Sequence, residues 1–228
     1  MRYKVSRFRK DFNVRTAALV SAARQANRKG IPTSVRDLAF QCAILQTSAA
    51  TEEYIRTLFE AWAFMVRNSG AASSVVPTRT RIAVAKSRLE AHFASYVFNS
   101  DEKAFLSKLE GENDLWTFLS GGSVIPGTFV GKVVFDERKY PSPKNVKVLF
   151  SRIGIDNVFD LMSALLRADA EYRLVSFNSI RTALAHANPP QLTLPDVKRN
   201  VDDMQSLVGA FDRILHKSLS NHFGQPVW

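Results

Sequence analysis

The chain has 228 residues, 46% of them hydrophobic and 23% charged, which predicts one globular domain or a domain with an insertion. The single Cys42 excludes an intramolecular disulfide, and with only four scattered histidines no metal-ligand spacing appears. A formal net charge of +10 favours polyanionic partners, with nucleic acid first and an anionic membrane surface second. The alternative is a charge that serves solubility alone.

Targeting signals are weak along the whole sequence. The apolar run at residues 16–23 is short and is followed at once by Arg24, so it does not resemble a signal peptide. No stretch reaches the roughly 18 apolar residues that a membrane-spanning helix requires. The sequence therefore predicts a cytoplasmic protein with no membrane partner.

The first 70 residues predict two helical regions. A basic arm that includes Arg7 and Arg9, with aromatic residues between its cations, suits single-stranded nucleic acid. The slightly favoured alternative is an amphipathic segment that docks on the core, leading into a helix that ends near Lys29. Apolar spacing then predicts one long helix, or two collinear ones, up to residues 68–70. Cys42 has apolar neighbours in that helix, which predicts a buried, unreactive thiol.

Residues 71–140 are interpreted as an insertion between two halves of a helical bundle. Helices are predicted from Thr78 to about Phe98, from about residue 100 to Gly111, and at 114–119. The first carries Arg79 and Arg81, two weak candidates for contact with RNA. The glycine-rich tract at 121–131 lacks the spacing of a phosphate-binding loop and is predicted to be a connector. Residues 132–136 are predicted to form one short strand.

The last third predicts four helices. Ser142 and Pro143 begin the first, Asp156 or Asn157 begins the second, and the third begins near Asp169. The last begins at Thr193 or Asp196 and carries a sustained apolar stripe to about residue 220.

The third of these helices holds the candidate chemistry. It carries Arg181 and then His186, and prolines at 189–190 predict an end near His186 or residue 187. Arginine is a permanent planar cation suited to phosphate, and histidine titrates near neutrality. On an ideal helix the two side chains lie about 140° apart, so they do not share one stripe. Structural roles, a salt bridge for Arg181 and a helix end for His186, remain the alternative at this point.

The phrase around these two residues resembles the Arg-x(4–6)-His motif of the HEPN superfamily, and is more narrowly similar to the RiboL-PSP-HEPN group. Three further phrases resemble that group: the acidic and aromatic helix at 51–58, the helix and Gly-Ile step at 150–155, and the start of the last helix at 193–197. One departure is Thr182, where many members have Asn. The resemblance covers roughly residues 35–220 and implies an all-α, HEPN-like four-helix bundle with accessory helices.

The resemblance also implies a chemistry, which is metal-independent RNA cleavage without a cofactor. The ribose 2′-OH attacks the adjacent phosphorus to give a 2′,3′-cyclic phosphate, with His186 moving the proton and Arg181 stabilising the phosphorane. Asn178 and Thr182 are expected as supporting polar residues, and Glu53, or else Glu52, is expected to face and orient the motif. Two copies would pair their motifs as a homodimer, and an antitoxin or another defence-system protein is a possible partner.

Three functions therefore stand as hypotheses. The first is an endoribonuclease of the toxin or anti-phage kind, active as a homodimer. The second is a HEPN domain that binds RNA or nucleotide without cleaving it, and the departure at Thr182 favours this hypothesis. The third is a helical interaction module whose charge serves a membrane or protein partner.

Overall fold

The computed structural model describes residues 2–122, 125–127, 129–135, 141–186 and 189–223, except the side chains of Val133, His222 and Phe223. Within these ranges the regular structure is helical, which confirms the predicted all-α class. The described α-helices are α1 (Arg7–Ala26), α2 (Thr33–Asn68), α3 (Thr78–Asn99), α4 (Glu102–Glu110), α5 (Asn113–Leu119), α6 (Gly131–Val134), α7 (Pro143–Arg152), α8 (Val158–Leu166), α9 (Ala170–Ala183) and α10 (Leu194–Phe223). None of the helices in these ranges is both long and apolar enough to cross a membrane.

Side-chain caps fix several helix starts near the predicted positions. Asp101, Ser142 and Asp169 each accept a hydrogen bond from the backbone N–H three residues later. At the start of α10, Thr193 and Asp196 bond reciprocally, since each side chain accepts from the other residue's backbone N–H. These bonds satisfy amide donors that the first turn of a helix leaves without partners.

The centre of the molecule is built by α1, α2 and α10, which pack on one another. Phe40 and Ala43 of α2 lie with Val197 and Val201 of α10 in one buried cluster, and further along α2 the Tyr54 hydroxyl donates to the carbonyl of residue 208. The positions that contact each other therefore follow the same order along α2 and along α10. The two long helices run parallel, and the N-terminal half of α2 lies at the end where α10 begins.

The helices α7, α8 and α9 complete the core against α10. Three rings link the layers: Phe59 of α2 lies edge-on to Phe150 of α7 at 5.4 Å between centroids, and Phe150 stacks on Phe211 of α10 at 5.2 Å. Aromatic pairs in such arrangements add to the stability that burial alone provides. This packing leaves α9 covered on one side only.

The predicted insertion contains α3 to α6. Its helices α3, α5 and α6 send Val84, Leu115, Phe118 and Val134 into the same core as the rest of the chain. Within this stretch α4 packs mainly on α3. Its status as an insertion between two halves of a bundle stays a prediction.

The short strand predicted at 132–136 is wrong for the residues that the structure describes. Gly131–Val134 is one helical turn, α6, which packs on α2. A Cβ atom added at Gly131 would lie 2.6 Å from the backbone nitrogen of Glu60, so the close approach of α6 to α2 requires glycine. The strand prediction rested on local β-branched residues, and packing against α2 overrides that preference. Asp136, the last residue of the predicted strand, lies outside the described residues.

The prediction of a buried thiol is also wrong, because Cys42 is exposed. Its neighbours Ala43 and Ile44 are buried, but they lie on the side of α2 that faces the core. Adjacent residues in a helix point about 100° apart, so apolar neighbours in sequence do not imply burial.

Candidate active site

The motif helix α9 is held by its inner face and ends earlier than predicted. Leu174 and Phe177 are buried in the core, and Leu184, just past the helix, is 8% exposed. The helix stops at Ala183 rather than near His186, because the N–H groups of residues 185 and 186 bond to carbonyls three residues back. This tighter turn is a common way for a helix to end before prolines. His186 therefore lies in a turn beyond the helix.

The motif side chains point away from the core. Arg181 occupies the last turn of α9 and is half-buried, whereas Thr182 and His186 are exposed. Among the residues that the structure describes, none forms a hydrogen bond with the His186 ring. Because His186 follows the end of the helix, the 140° separation expected from an ideal helix no longer describes the pair.

Asn178 has a structural contact one turn before Arg181. Its amide Nδ2 donates to the carbonyl of Pro141 at 2.9 Å, next to the start of α7. The amide thus holds the entry to α7 against α9. Its carbonyl oxygen remains a possible polar contact for a ligand, and that supporting function stays a prediction.

The described contacts of Glu53 lie on the side of α1. Its carboxylate pairs with Arg56 at 2.5 Å and lines a groove of about 200 Å³ between α1 and α2. The hydrogen bond from Arg56 lowers the pKa of Glu53, and the charges of Arg56 and Arg15 act in the same direction. The expectation that Glu53, or the half-buried Glu52, orients the motif stays a prediction.

The two arginines of the basic arm differ. Arg7 is exposed on α1 and lies 3.7 Å from Asp11, a surface pair of little energetic weight. Arg9 instead donates to the Tyr3 hydroxyl at 2.8 Å, and its guanidinium lies against Gly209 of α10, where a Cβ atom would come within 2.7 Å of it. The alternative of a docked N-terminal segment therefore describes Arg9, while RNA contact by Arg7 stays a prediction.

The two arginines of α3 are held by other parts of the chain. Arg79 is exposed but pairs with Asp156 at 2.6 Å. Arg81 donates to the carbonyl of Leu119 at 2.8 Å, at the end of α5. Their contact with RNA stays a prediction, and for Arg81 it would compete with this link between α3 and α5.

A buried polar cluster around Asp212 was missed by sequence reasoning. Asp212 of α10 is fully buried and accepts hydrogen bonds from the Tyr3 hydroxyl at 2.7 Å, the Ser6 backbone N–H at 3.1 Å and the Tyr54 hydroxyl at 3.2 Å. The available signal was an acid placed between apolar positions of α10, since a buried carboxylate requires partners. Its partners lie up to 209 positions away and could not be named from the sequence.

Burial controls the protonation of this cluster. It raises the pKa of Tyr3 and, more strongly, that of Tyr54, and in both the charge and hydrogen bond of Asp212 act the same way. Burial also lowers the pKa of His216, although the negative charge of Asp212 acts in the opposite direction. The His216 ring lies edge-on to the Tyr3 ring, with 5.3 Å between the centroids. Both tyrosines and His216 are therefore favoured in their neutral forms, as expected for structural rather than catalytic groups.

A second missed feature is the outer side of α9, here named the α9 face: Tyr172, Val175, Ser179 and Thr182. All four residues are exposed, with Tyr172 at 69% and Val175 at 44%. Their spacing of three, four and three residues places them on one stripe that leads to the motif. The adjacent α8 adds exposed Leu161 and Leu165. The stripe was not recognised from the sequence, because the side of a helix that stays uncovered depends on packing by distant parts of the chain.

Comparison with known proteins supports the resemblance. The family model described as RiboL-PSP-HEPN matches residues 10–217. The chain belongs to the RiboL-PSP-HEPN family. No curated protein and no solved structure matches it. The RiboL-PSP-HEPN match includes Arg181, His186 and the α9 face, and it leaves out Tyr3 and Arg9, which join the N-terminal segment to the Asp212 cluster.

Proposed function

We propose that this protein is a metal-independent endoribonuclease that cleaves RNA by attack of a ribose 2′-OH on the adjacent phosphorus. The observation that carries the proposal is the placement of Arg181 and His186 at the exposed end of α9, in a chain of the RiboL-PSP-HEPN family. A net charge of +10 supports a polyanionic substrate. Requirement for the 2′-OH distinguishes RNA from DNA.

The chemistry needs a proton acceptor, a proton donor and a cation. In the proposed reaction a neutral His186 takes the 2′-OH proton as the oxygen–phosphorus bond forms. The bond to the 5′ oxygen breaks, and that oxygen receives a proton from a protonated imidazole. The products are a 2′,3′-cyclic phosphate and a 5′-hydroxyl end. Arg181 stabilises the charge that develops on the phosphorane oxygens.

A single copy supplies one histidine, so we place the site between two copies of α9. The α9 face supports this arrangement, because exposed Tyr172 and Val175 are positions that a second copy would cover. Their three- and four-residue spacing is the pattern with which helices pair. Two-fold pairing would bring two copies of Arg181 and His186 to one cleft, where one imidazole acts as base and the other as acid.

The main experiment incubates the purified protein with RNA and with DNA of the same sequence, in the presence of EDTA. We expect the wild type to cut RNA to cyclic-phosphate ends and to leave DNA intact. His186→Ala and Arg181→Ala should abolish cleavage, whereas the matched control His92→Ala should retain it, because His92 pairs with Glu112 in the α3–α5 region. RNA that is bound but uncut by the wild type would instead indicate a non-cleaving RNA-binding domain.

Subunit mixing tests the composite site. Excess His186→Ala protein, mixed with the wild type and allowed to exchange subunits, should lower cleavage below that of the wild type alone, because each mixed dimer then has a single His186 and lacks either the base or the acid. Val175→Glu should abolish cleavage by separating the two α9 faces, and Val97→Glu, at a position of α3 that is 78% exposed, is the matched control. Unchanged cleavage in the mixture would argue against a shared cleft.

A further inference from the structure

A second exposed apolar stripe lies on the N-terminal half of α2, outside every residue assigned to the proposed site. It is here named the α2 seam and consists of Val35, Leu38, Cys42 and Leu45. Val35 is 52% exposed, Leu38 61% and Leu45 39%, and the Cys42 thiol is also exposed. Positions three, four and three residues apart form the a/d seam of a coiled coil. Ala49, also exposed, extends the same spacing at the C-terminal end of the stripe.

The opposite side of this helix is fixed to the bundle. Phe40, Ala43 and Ile44 are buried, with exposed fractions of 1%, 2% and 0%. Phe40 and Ala43 pack on Val197 and on Ala23 of α1. The α2 seam is therefore presented by a helix that is rigidly held, so docking does not require ordering of a loose segment.

The charge pattern of α2 identifies the occupant. Between Asp37 and Glu52 the helix has no charged residue, although the chain carries a net charge of +10. The positions of α2 beside the seam are the uncharged Ser34, Ala39, Gln41 and Gln46, and Arg15 of α1 donates to the Gln46 side chain at 3.3 Å. Two copies of a basic chain repel each other, and this face limits the repulsion because α2 itself carries no charge between Asp37 and Glu52.

We infer that the α2 seam is a self-association surface on which a second copy of this chain packs its own α2 seam in antiparallel orientation. With the two-fold axis level with Phe40, Leu38 lies against Cys42 of the second copy and Val35 lies against Leu45. Every member of the seam then meets an apolar partner. This contact lies on α2 and depends on neither Arg181, nor His186, nor the α9 face.

The native thiol makes the arrangement measurable, because Cys42 is the only cysteine. The two copies of Cys42 would lie two residues on either side of the axis. The helical rise and the interhelical spacing together place their Cα atoms at a separation of roughly 10 Å. That exceeds the roughly 7 Å limit for a disulfide, so a short bis-maleimide should link wild-type chains while oxidation should not. Leu38→Cys places a thiol opposite the Cys42 of the second copy, so oxidation should then yield linked dimers.

Three variants serve as controls. Leu38→Glu places a charge in the seam and should reduce bis-maleimide linkage at Cys42 about tenfold or more, since a buried unpaired charge opposes association. Its folding should be unchanged, because Leu38 is exposed in the single chain. The double variant Cys42→Ser/Ser107→Cys moves the thiol to an exposed site on α4 and should give no linked dimer. His186→Ala should link as the wild type does, whatever its effect on RNA.

The proposal is overturned if wild-type chains give no more linked product than the Ser107 thiol variant, or if Leu38→Glu links as efficiently as the wild type. Sedimentation of the same proteins provides an independent readout, with a smaller mean mass expected for Leu38→Glu. Loss of RNA cleavage with intact linkage would count against the proposed function alone. Intact cleavage with no linkage would count against the α2 seam alone.

Discussion

The Asp212 cluster and the Arg181–His186 motif are both groups of polar side chains on helices, yet their surroundings are opposite. Asp212 is fully buried and accepts three hydrogen bonds, whereas His186 is exposed and receives none from the residues that the structure describes. A polar group inside the core must be bonded to be tolerated. An exposed ring such as His186 can reach a ligand without giving up a hydrogen bond to a described residue. This contrast supports a stabilising role for the Asp212 cluster and fits the chemistry proposed for His186.

The largest expected effect concerns the motif. His186→Ala should lower the RNA cleavage rate by about 10²- to 10⁴-fold, the usual contribution of a general acid or base. The free energy of unfolding should change by no more than about 0.5 kcal/mol, because the side chain is exposed. Cleavage assays and denaturant unfolding on the same preparations measure both. A variant that loses both activity and stability would contradict the assignment.

The corresponding variant in the buried cluster is Asp212→Ala. Removal of the acceptor takes a hydrogen-bond partner from the Tyr3 hydroxyl, the Ser6 backbone N–H and the Tyr54 hydroxyl. We expect the free energy of unfolding to fall by about 2–4 kcal/mol, because each buried neutral donor left without an acceptor costs about 1–3 kcal/mol. Asp202→Ala, at an exposed position of the same helix, is the matched control and should lie within about 0.5 kcal/mol of wild type. Cleavage per folded molecule should stay unchanged at a temperature where the variant remains folded.

High pH should weaken the same cluster. Because burial raises the pKa of Tyr54, the unfolded chain loses that proton near pH 10 while the folded chain keeps it. The free energy of unfolding should therefore fall as the pH rises above 10, by about 1.4 kcal/mol per pH unit for one such group. Tyr54→Phe should flatten this slope, and Tyr172→Phe, at an exposed position, should leave it unchanged.

The smallest effect is expected at the start of α10. Thr193→Ala removes one half of the reciprocal pair with Asp196 and should lower the free energy of unfolding by about 1 kcal/mol. The hydrogen bond from Thr193 lowers the pKa of Asp196, so its contribution is present above the ordinary value of 3.8 and is lost as the pH falls below it. Thermal unfolding at pH 7 and pH 3 should show a difference between wild type and variant at pH 7 that shrinks at pH 3.

Features set by nearby residues were predictable from the sequence. Caps such as Asp101, Ser142 and Asp169 act on amides three residues away, so pattern and propensity locate them. The motif stands out for the same reason, since Arg181 and His186 are close in sequence. Helix spacing also predicted α10, although it continues to Phe223 rather than about residue 220.

Features set by distant residues were not predictable. Packing of α6 on Glu60 decided the conformation at Gly131. The packing of other helices on one side of α2 left Cys42 on the exposed side. The contacts of Arg9 and Arg81 with other elements likewise depend on residues dozens of positions away or more. Which apolar positions remain uncovered, on the α9 face and on the α2 seam, follows only from the assembled bundle.

The hydrogen bond between Tyr3 and Asp212 also has a consequence for synthesis on the ribosome, because it joins positions 209 residues apart. At about 5–20 residues per second, Asp212 is synthesised roughly 10–40 s after Tyr3, so the N-terminal segment lacks this acceptor for that time. Contacts of such high sequence separation form late in folding. A product that stops before residue 212 lacks the acceptor altogether, so truncated chains cannot acquire the packing that joins α1 to α10 at this point.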